Sequence, residues 1–297
     1  MTDRHGKGGG VRLTMLSDMA GRDLAESLPK LRAWGLDLLD LKGGLFGKGV
    51  LDLTDDEAAR AASMLRDAGV EVYCLSTQLF HSQVEIGEAA FRAKYAGGVD
   101  RAIQLAEVLQ PRFIRLLAAD TSRRAELDDA VAYIAAEQPW VFDAYREAAE
   151  RIAAAGFETT IENEIGGCIF SRPEEVVAFF DALGRPDRTC FTWDVQNLWQ
   201  MGTFPSVEVY EALQPVTGYV HVKGGIAGAD GGLEFRSTLR DASWPVEEIV
   251  GRVAASGVSP VVCLNWPHGG TRPGRENEDI IAEDLAYVRE LLTESRT

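Results

Sequence analysis

Eight short runs of aliphatic, β-branched and aromatic residues recur along the chain, separated by amphipathic stretches rich in Ala and Glu. Each run is too short for a typical helix and has the composition of a buried strand. Strands that alternate with helices in this way predict a single-domain α/β fold, a (β/α)₈ TIM barrel, with a doubly wound open sheet as the alternative. The eight runs are VRLTML (11–16), LDLLDLK (36–42), VEVYCLS (70–76), RFIRLLA (112–118), FETTIE (157–162), TCFTWD (189–194), VTGYVHVK (216–223) and VSPVVCLN (258–265).

Two of the intervening helices have N-termini that can be read from the sequence. Thr54 to Glu57 has the Thr-x-x-Glu pattern of a capping box, and Gly69 is placed to end the same helix. Ser171 to Glu174 repeats the pattern, with proline in the first turn. We therefore expect one helix to begin after Thr54 and another after Ser171.

The 297-residue sequence contains no change of composition that would mark a second domain. Residues 1–10, MTDRHGKGGG, are charged and rich in glycine, so they predict a flexible N-terminal tail before a barrel domain at 11–297. No apolar run approaches the length needed to cross a bilayer. We therefore expect no membrane partner.

Net charge and cysteine spacing restrict the partners and the compartment. The formal net charge of -16 argues against nucleic acid as a partner, because proteins that bind it usually carry a basic surface. The four cysteines have no CxxC spacing, so we interpret them as reduced thiols of a cytoplasmic protein. They are Cys74, Cys168, Cys190 and Cys263.

Polar and aromatic residues gather where the predicted strands end. In TIM barrels the C-terminal ends of the strands form the active-site face. Side chains from at least six strands are therefore expected to line one mouth. The residues concerned are Lys42, His81, Arg115, Glu162, Glu164, Trp193, Asp194, His221, Lys223 and Asn265.

Glu162, Asp194 and His221 stand out within this set because they end three consecutive strands, which a barrel places side by side. Two carboxylates and an imidazole suit a hard or borderline divalent cation. We expect Mn²⁺, with Mg²⁺, Co²⁺ and Zn²⁺ as alternatives. The competing interpretation is that each residue separately faces solvent or makes a local salt bridge.

The order of these motifs resembles the xylose isomerase-like superfamily of TIM barrels, the sugar phosphate isomerases and epimerases. The motif Ile161–Asn163 is similar to the strand-five "LEN" that carries a metal-binding Glu in that family. Asp194 is followed by Asn197, at the spacing of the family's Asp and Asn or His. The motif His221–Lys223 matches the start of a strand-seven "HVKD", with Gly224 in place of Asp. The resemblance covers nearly the whole chain.

The resemblance implies a metal-dependent enzyme of carbohydrate metabolism that forms homo-oligomers. The same superfamily includes an AP endonuclease branch whose three-metal site is rich in histidine. This chain has four histidines, and Asn197 stands at the position where that branch has a histidine. Nuclease activity is therefore not expected.

Asn265 departs from the isomerases and epimerases, which end strand eight in a second metal-binding Glu. Three accounts remain open. Asn265 ligates the metal through its carbonyl oxygen, or His268 or Glu164 completes the coordination. In the third account the metal site is lost and the barrel only binds a ligand.

The amide also restricts the reaction, because Asn265 cannot accept a proton. Glu162 is then the expected base next to a metal-polarised carbonyl, with Lys223 or His81 handling the second proton. This chemistry suits isomerisation of a sugar or polyol, or a lyase acting by β-elimination on a keto-sugar or glycoside derivative. A non-catalytic, sugar-binding barrel or a subunit of a complex is the alternative from another class.

The expected partner is a small carbohydrate-like molecule. Lys42 and Arg115 are candidates for binding its phosphate or carboxylate, or for pairing with neighbouring acids. Aromatic residues at the mouth are candidates for stacking on a sugar, or for covering the core. The remaining candidates for substrate binding are Glu164, Trp193, Asn197, Trp266 and His268.

Overall fold

The computed structural model describes residues 10–184, 188–270 and 277–294. The predicted N-terminal tail lies outside the described residues, except for Gly10, which is exposed. The boundaries of the predicted domain therefore remain a prediction.

Eight parallel strands form a nearly closed barrel, which confirms the predicted (β/α)₈ architecture. They are hydrogen-bonded in the order β1-β10-β7-β6-β5-β4-β3-β2, and each lies within one of the eight predicted runs. Between β1 and β2 the ring closes through a single bridge, in which the Asp40 amide donates to the Met15 carbonyl at 3.0 Å. The barrel strands are β1 (Arg12–Thr14), β2 (Leu38–Leu41), β3 (Glu71–Ser76), β4 (Phe113–Leu117), β5 (Glu158–Glu162), β6 (Thr189–Asp194), β7 (Thr217–Val222) and β10 (Val261–Leu264). The other two strands, β8 (Ile226–Ala227) and β9 (Leu233–Phe235), form an antiparallel hairpin that follows β7.

The helices surround the barrel and bury their apolar faces against the outside of the sheet. None in the described part of the chain combines the length and apolar character needed to span a membrane. The helices are α1 (Ser17–Ala20), α2 (Leu24–Ala33), α3 (Asp55–Ala68), α4 (Glu88–Leu109), α5 (Ala130–Glu137), α6 (Trp140–Ala154), α7 (Pro173–Ala182), α8 (Val195–Gln200), α9 (Val207–Leu213), α10 (Val246–Ser256) and α11 (Asn277–Glu294), with short 3₁₀ turns at Val50–Asp52, Val84–Ile86 and Arg124–Glu126.

One of the two predicted helix starts is confirmed. Thr54 and Glu57 form the capping box of α3. At α7 the prediction was wrong, because proline at the first helical position holds the preceding residue in an extended conformation. Arg172 is therefore the N-cap, with φ -150° and ψ 159°. Ser171 lies one residue further out, and its amide and hydroxyl bond to Glu175 rather than to Glu174.

Residues two apart on a strand face the same side, and this alternation builds the barrel interior in layers. An apolar and aromatic layer of buried side chains forms the floor, including Leu38, Phe113 and Tyr219. Two residues further along the same strands lie Asp40, Arg115 and His221, and all are buried. The polar layer therefore lies directly above the apolar floor, at the C-terminal end of the barrel.

Candidate metal site and active site

Glu162, Asp194 and His221 converge at the ends of β5, β6 and β7. His221 Nδ1 lies 3.1 Å from Glu162 Oε1 and 3.9 Å from Asp194 Oδ2. The three potential ligand atoms all lie within 4.8 Å of one another, and the three residues are buried. We refer to these residues as the triad.

Two buried cations neutralise the carboxylates of the triad. Arg115 Nη1 lies 2.5 Å from Glu162 Oε2, and Lys223 Nζ lies 2.6 Å from Asp194 Oδ2. Burial raises the pKa of Glu162, but the charges of Arg115 and His221 outweigh it and bring the pKa well below its ordinary value. Glu162 is therefore an ionised carboxylate at neutral pH, fixed in orientation by the guanidinium.

Asp194 is oriented by the start of α8. Its Oδ1 accepts the backbone amides of Gln196 and Asn197, each at 3.0 Å, which leaves Oδ2 facing Lys223. The side chain of Asn163 also bonds to the backbone amide and carbonyl of Asp194, at 2.9 and 3.0 Å. The sequence after β6 therefore forms an N-cap whose second oxygen points into the barrel.

Asn197 and Asn265 also reach this polar layer. Asn197 accepts from Lys223 Nζ at 3.4 Å and donates to the Asn163 carbonyl at 3.1 Å. Asn265 is 1% exposed, and its Nδ2 lies 3.2 Å from His221 Nδ1. The thiol of Cys263 donates to Asn265 Oδ1 at 3.2 Å. The end of β10 thus brings a neutral amide to the triad.

Asp40 lies on the other side of the His221 ring. It was not predicted from the sequence as a site residue. Its Oδ2 lies 3.7 Å from His221 Nε2 and accepts the Tyr219 hydroxyl at 3.2 Å. Burial raises the pKa of Asp40, against the opposing charges of His221 and Arg115. A sequence signal was available, because Asp40 is an acid within an apolar strand, two residues before the inward-facing position of Lys42.

Lys223 connects the triad to the surface through His268. His268 Nε2 lies 3.2 Å from Lys223 Nζ, and its backbone amide donates to Gln196 Oε1 at 2.6 Å. Partial burial and the charge of Lys223 lower the pKa of His268. Glu164 is half-buried, and burial together with the charge of Glu162 raises its pKa.

The other candidates lie further from the triad or face elsewhere. Lys42 Nζ is 3.8 Å from Asp18 Oδ2, and His81 Nε2 is 3.6 Å from Asp120 Oδ2. Trp266 is partly buried against the core, and its backbone amide lies 3.1 Å from Met19 Sδ. These contacts place Lys42 and His81 with partners outside the triad.

Trp193 is not brought into this layer. It lies between two inward-facing residues of β6, so its own side chain faces the helices. The indole is fully buried, and its ring centroid lies 6.3 Å from that of Tyr210 in α9. The alternation of side chains along β6 is a signal that could have revealed this orientation from the sequence.

Gly224 explains the departure from the "HVKD" pattern. A Cβ at this position would lie 2.1 Å from the Ser237 carbonyl oxygen and 2.5 Å from that of Thr238. The chain after the β8–β9 hairpin therefore packs directly against the end of β7. The Gly224 carbonyl also accepts the Gln196 side-chain amide at 2.5 Å. Aspartate cannot occupy this position unless the backbone moves.

The donor set of the triad fits a divalent cation. Two carboxylate oxygens and one imidazole nitrogen converge within a buried space, and such a mixture of ligands suits Mg²⁺, Mn²⁺ or Zn²⁺. The ammonium of Lys223 lies against an Asp194 oxygen of this donor set, so it already places one positive charge beside the carboxylates.

Solved structures of similar architecture align over almost the entire chain. A xylose isomerase-like TIM barrel protein from Mycobacterium smegmatis in complex with magnesium is 17% identical, with coverage of 97% and 98% of the two chains and a TM-score of 0.67. An L-ribulose 3-epimerase is 15% identical, with 96% of each chain covered and a TM-score of 0.70. A probable 3-DHS dehydratase from Bacillus anthracis is 14% identical, with 94% and 98% covered and a TM-score of 0.68. These similarities establish the shared fold.

Two comparisons of the sequence complement the comparison of structures. No curated protein sequence matches the chain. The model of the family described as xylose isomerase-like TIM barrel matches residues 28–291, which confirms the resemblance found in the strand-end motifs. The chain therefore belongs to the xylose isomerase-like TIM barrel family.

Proposed function

We propose that the protein is a divalent-metal-dependent enzyme that moves a proton next to a carbonyl group of a carbohydrate-like substrate. The observation that carries this proposal is the buried triad of Glu162, Asp194 and His221, whose ligand atoms lie within 4.8 Å of one another. These three residues would hold the cation, with Asn265 beside them. A divalent cation supplies a Lewis acid that polarises a carbonyl and stabilises the charge formed when a neighbouring proton leaves.

Glu162 and Glu164 divide acid and base roles in this proposal. The pKa of Glu162 is lowered, so its carboxylate is ionised and available to accept a proton, although it is the weaker base of the two, whereas the raised pKa of Glu164 makes that side chain easier to protonate. Arg115 fixes the orientation of the Glu162 carboxylate through their 2.5 Å contact. We propose that Glu162 removes a proton next to a carbonyl that the cation would polarise, and that Glu164, half-buried two residues further along the chain, returns one.

Lys223 and His268 provide a second route for the proton. Lys223 Nζ lies 2.6 Å from Asp194 and 3.2 Å from His268 Nε2, and His268 lies at the exposed edge of the site. The lowered pKa of His268 favours the neutral ring, which can accept a proton and release it to water. These contacts favour Lys223 over His81 for the second proton transfer.

Asn265 limits the reactions that fit the site. Its amide cannot accept a proton, so a mechanism with two metal-bound carboxylates on opposite faces of the substrate is not supported. Aldose–ketose isomerisation and β-elimination from a keto-sugar or glycoside derivative both need one strong base. We propose isomerisation first and the lyase reaction second, and a non-catalytic sugar-binding barrel as the alternative from another class.

The experiment that tests this function follows the proton. Protein purified without chelator is assayed for bound metal, and keto-sugars and aldoses are incubated with it in D₂O and Mn²⁺. We expect one bound divalent ion per chain and deuterium at the carbon next to the carbonyl. The variant Glu162→Gln should lose this exchange. A metal-free protein whose melting temperature ignores both EDTA and Mn²⁺ would contradict the proposal.

The compartment and assembly remain proposals as well. The cysteines, Cys74, Cys168, Cys190 and Cys263, are all free thiols in the structure. This agrees with a reducing compartment, and we propose the cytoplasm. A homo-oligomer stays a prediction based on the family.

A further inference from the structure

Beneath the triad, two buried polar groups face each other without a completed hydrogen bond. His221 Nε2 and Asp40 Oδ1 have no hydrogen-bond partner, and both residues are fully buried. Asp40 Oδ2 lies 3.7 Å from His221 Nε2, so a movement of about 1 Å would bring the two atoms into hydrogen-bonding distance. A buried polar atom without a partner is rare enough to need an explanation.

The two nitrogens of His221 face different surroundings. Nδ1 points to Glu162 Oε1 at 3.1 Å and to Asn265 Nδ2 at 3.2 Å, whereas Nε2 points to Asp40. A neutral imidazole has one N–H group, and only the nitrogen without hydrogen can ligate a metal. With hydrogen on Nδ1, the lone pair of Nε2 would point at the Asp40 carboxylate. With hydrogen on Nε2, the lone pair of Nδ1 faces the triad, where it can accept from Asn265 Nδ2 and where a cation would separate it from the Glu162 carboxylate.

We propose that Asp40 is a positioning residue that holds the Nε2–H form of His221 and so keeps Nδ1 free to bind the cation. Metal-ligating histidines commonly donate their second nitrogen to a carboxylate, which fixes both tautomer and ring orientation. This inference rests on the proposed metal-dependent function but concerns a residue that touches neither the cation nor the substrate.

The surroundings hold both partners in place. Tyr219 packs edge-on against the His221 ring, with centroids 4.6 Å apart and an angle of 89°, and its hydroxyl donates to Asp40 Oδ2 at 3.2 Å. Asp40 is also fixed through its backbone, because its amide bonds to the Met15 carbonyl at 3.0 Å. The carboxylate therefore has little freedom to move away from the ring.

The variant Asp40→Asn tests the inference with almost no change in volume. An asparagine at this position can donate its amide N–H to Nε2, which would favour hydrogen on Nδ1 and block the ligating nitrogen. We expect Mn²⁺ affinity, measured by calorimetry, to fall about 10- to 100-fold, the range found for such supporting residues. The melting temperature of the metal-free protein should not fall. The matched control Asp120→Asn makes the same substitution beside another histidine, His81, whose Nε2 lies 3.6 Å from Asp120 Oδ2 outside the triad, and its Mn²⁺ affinity should stay within about threefold of the wild type.

A second measurement does not depend on metal. Nitrogen-15 histidine spectra of the metal-free protein, recorded up to pH 10, report which nitrogen of His221 keeps its hydrogen in the neutral ring. We expect Nε2 in the wild type and Nδ1 in Asp40→Asn, with the signal assigned by its loss in His221→Gln. If the wild type binds no metal but shows this exchange of tautomer, the proposed function fails and the role of Asp40 stands.

Three results would overturn the inference. The first is an Asp40→Asn variant with wild-type Mn²⁺ affinity. The second is hydrogen on Nδ1, or on both nitrogens throughout the titration, in the wild-type protein. The third is two ions per chain, because Asp40, His221 and Cys263 also place ligand atoms within 4.8 Å of one another, and a second ion there would make Asp40 a ligand.

Discussion

Lys223 Nζ lies 2.6 Å from Asp194 Oδ2, and both side chains are almost completely buried. The ammonium is thus in direct contact with a carboxylate oxygen that belongs to the triad. A cation that binds to the triad must share this oxygen with Lys223 or displace it. Lys223 and a divalent ion are therefore competitors for the same negative charge, and removing the lysine should change stability and metal affinity in opposite directions.

Replacing Lys223 with Met tests this competition. In the metal-free protein the change leaves Asp194 buried without its partner, so we expect a loss of about 3 kcal/mol in the free energy of unfolding. Mn²⁺ affinity should rise, and saturating Mn²⁺ should restore most of the lost stability. Thermal melts in EDTA and in Mn²⁺ measure both effects. As a control, Lys42→Met removes a partly exposed lysine 3.8 Å from Asp18 and should change neither quantity by much. Weaker metal binding in Lys223→Met would contradict the competition.

Asn265→Asp adds a carboxylate beside His221 Nδ1. The residue is 1% exposed, so the new charge is unfavourable in the metal-free protein and favourable when a cation is present. We expect a lower melting temperature in EDTA and Mn²⁺ affinity at least about tenfold higher. The isosteric comparison Asn163→Asp places a carboxylate after β5, where the side chain bonds to the Asp194 backbone. Unchanged affinity in Asn265→Asp would show that residue 265 lies outside the coordination sphere.

Gly224→Ala should disrupt the packing between β7 and the segment after the hairpin. The added Cβ would lie 2.1 Å from the Ser237 carbonyl oxygen, so the backbone must move. We expect a loss of about 2 kcal/mol or more in stability, measured by urea unfolding, together with weaker metal binding at the adjacent Lys223 and His221. Gly97→Ala is the matched control, because Gly97 lies within α4 and its Cβ would meet nothing within 4 Å. That change should raise stability by about 0.5–1 kcal/mol.

The stability contributed by Glu85 should depend on pH. Burial raises the pKa of Glu85, but hydrogen bonds from Thr121, Ser122 and Tyr133 outweigh it and lower the pKa overall. A carboxylate with a lowered pKa stabilises the fold above the pKa of the unfolded chain, and the contribution is lost as pH falls through the lower value in the fold. Glu85→Gln should therefore cost about 1 kcal/mol at pH 7.

Unfolding curves of wild type and Glu85→Gln, measured from pH 7 to pH 3, check this prediction. The difference between them should shrink as the pH falls below about 4.3, the ordinary pKa of glutamate. The hydrogen bond from Thr121 Oγ1 to Glu85 Oε1 is 2.5 Å long and joins the loops after β3 and β4. A difference that is constant across this range would mean that the carboxylate charge contributes nothing.

The barrel and the triad could be predicted from sequence because both follow from periodic patterns. The predicted runs enclose all eight barrel strands. Glu162, Asp194 and His221 end neighbouring strands, and the barrel geometry alone brings them together. The structure adds that the Asp194 side chain also caps α8.

The remaining site residues depended on orientation and on contacts distant in sequence. Trp193 follows the outward face of β6, and strict alternation would have predicted this. Asp40 lies in the predicted strand run 36–42, whose last residue, Lys42, is the one that the sequence places at the mouth. The pairing of His81 with Asp120, and the close approach of Ser237 to Gly224, depend on loop conformations. Such contacts cannot be derived from local composition, because they are set by packing between segments far apart in the chain.

Asp40 joins two structural tasks in one residue. Its amide makes the bridge that closes the ring between β1 and β2, and its carboxylate faces the His221 ring. The residue that joins β1 to β2 is thus the same residue that would orient the His221 ring. An ion bound by His221 would then also stabilise the closure of the barrel between β1 and β2. Slower hydrogen exchange of the Asp40 amide would measure this stabilisation.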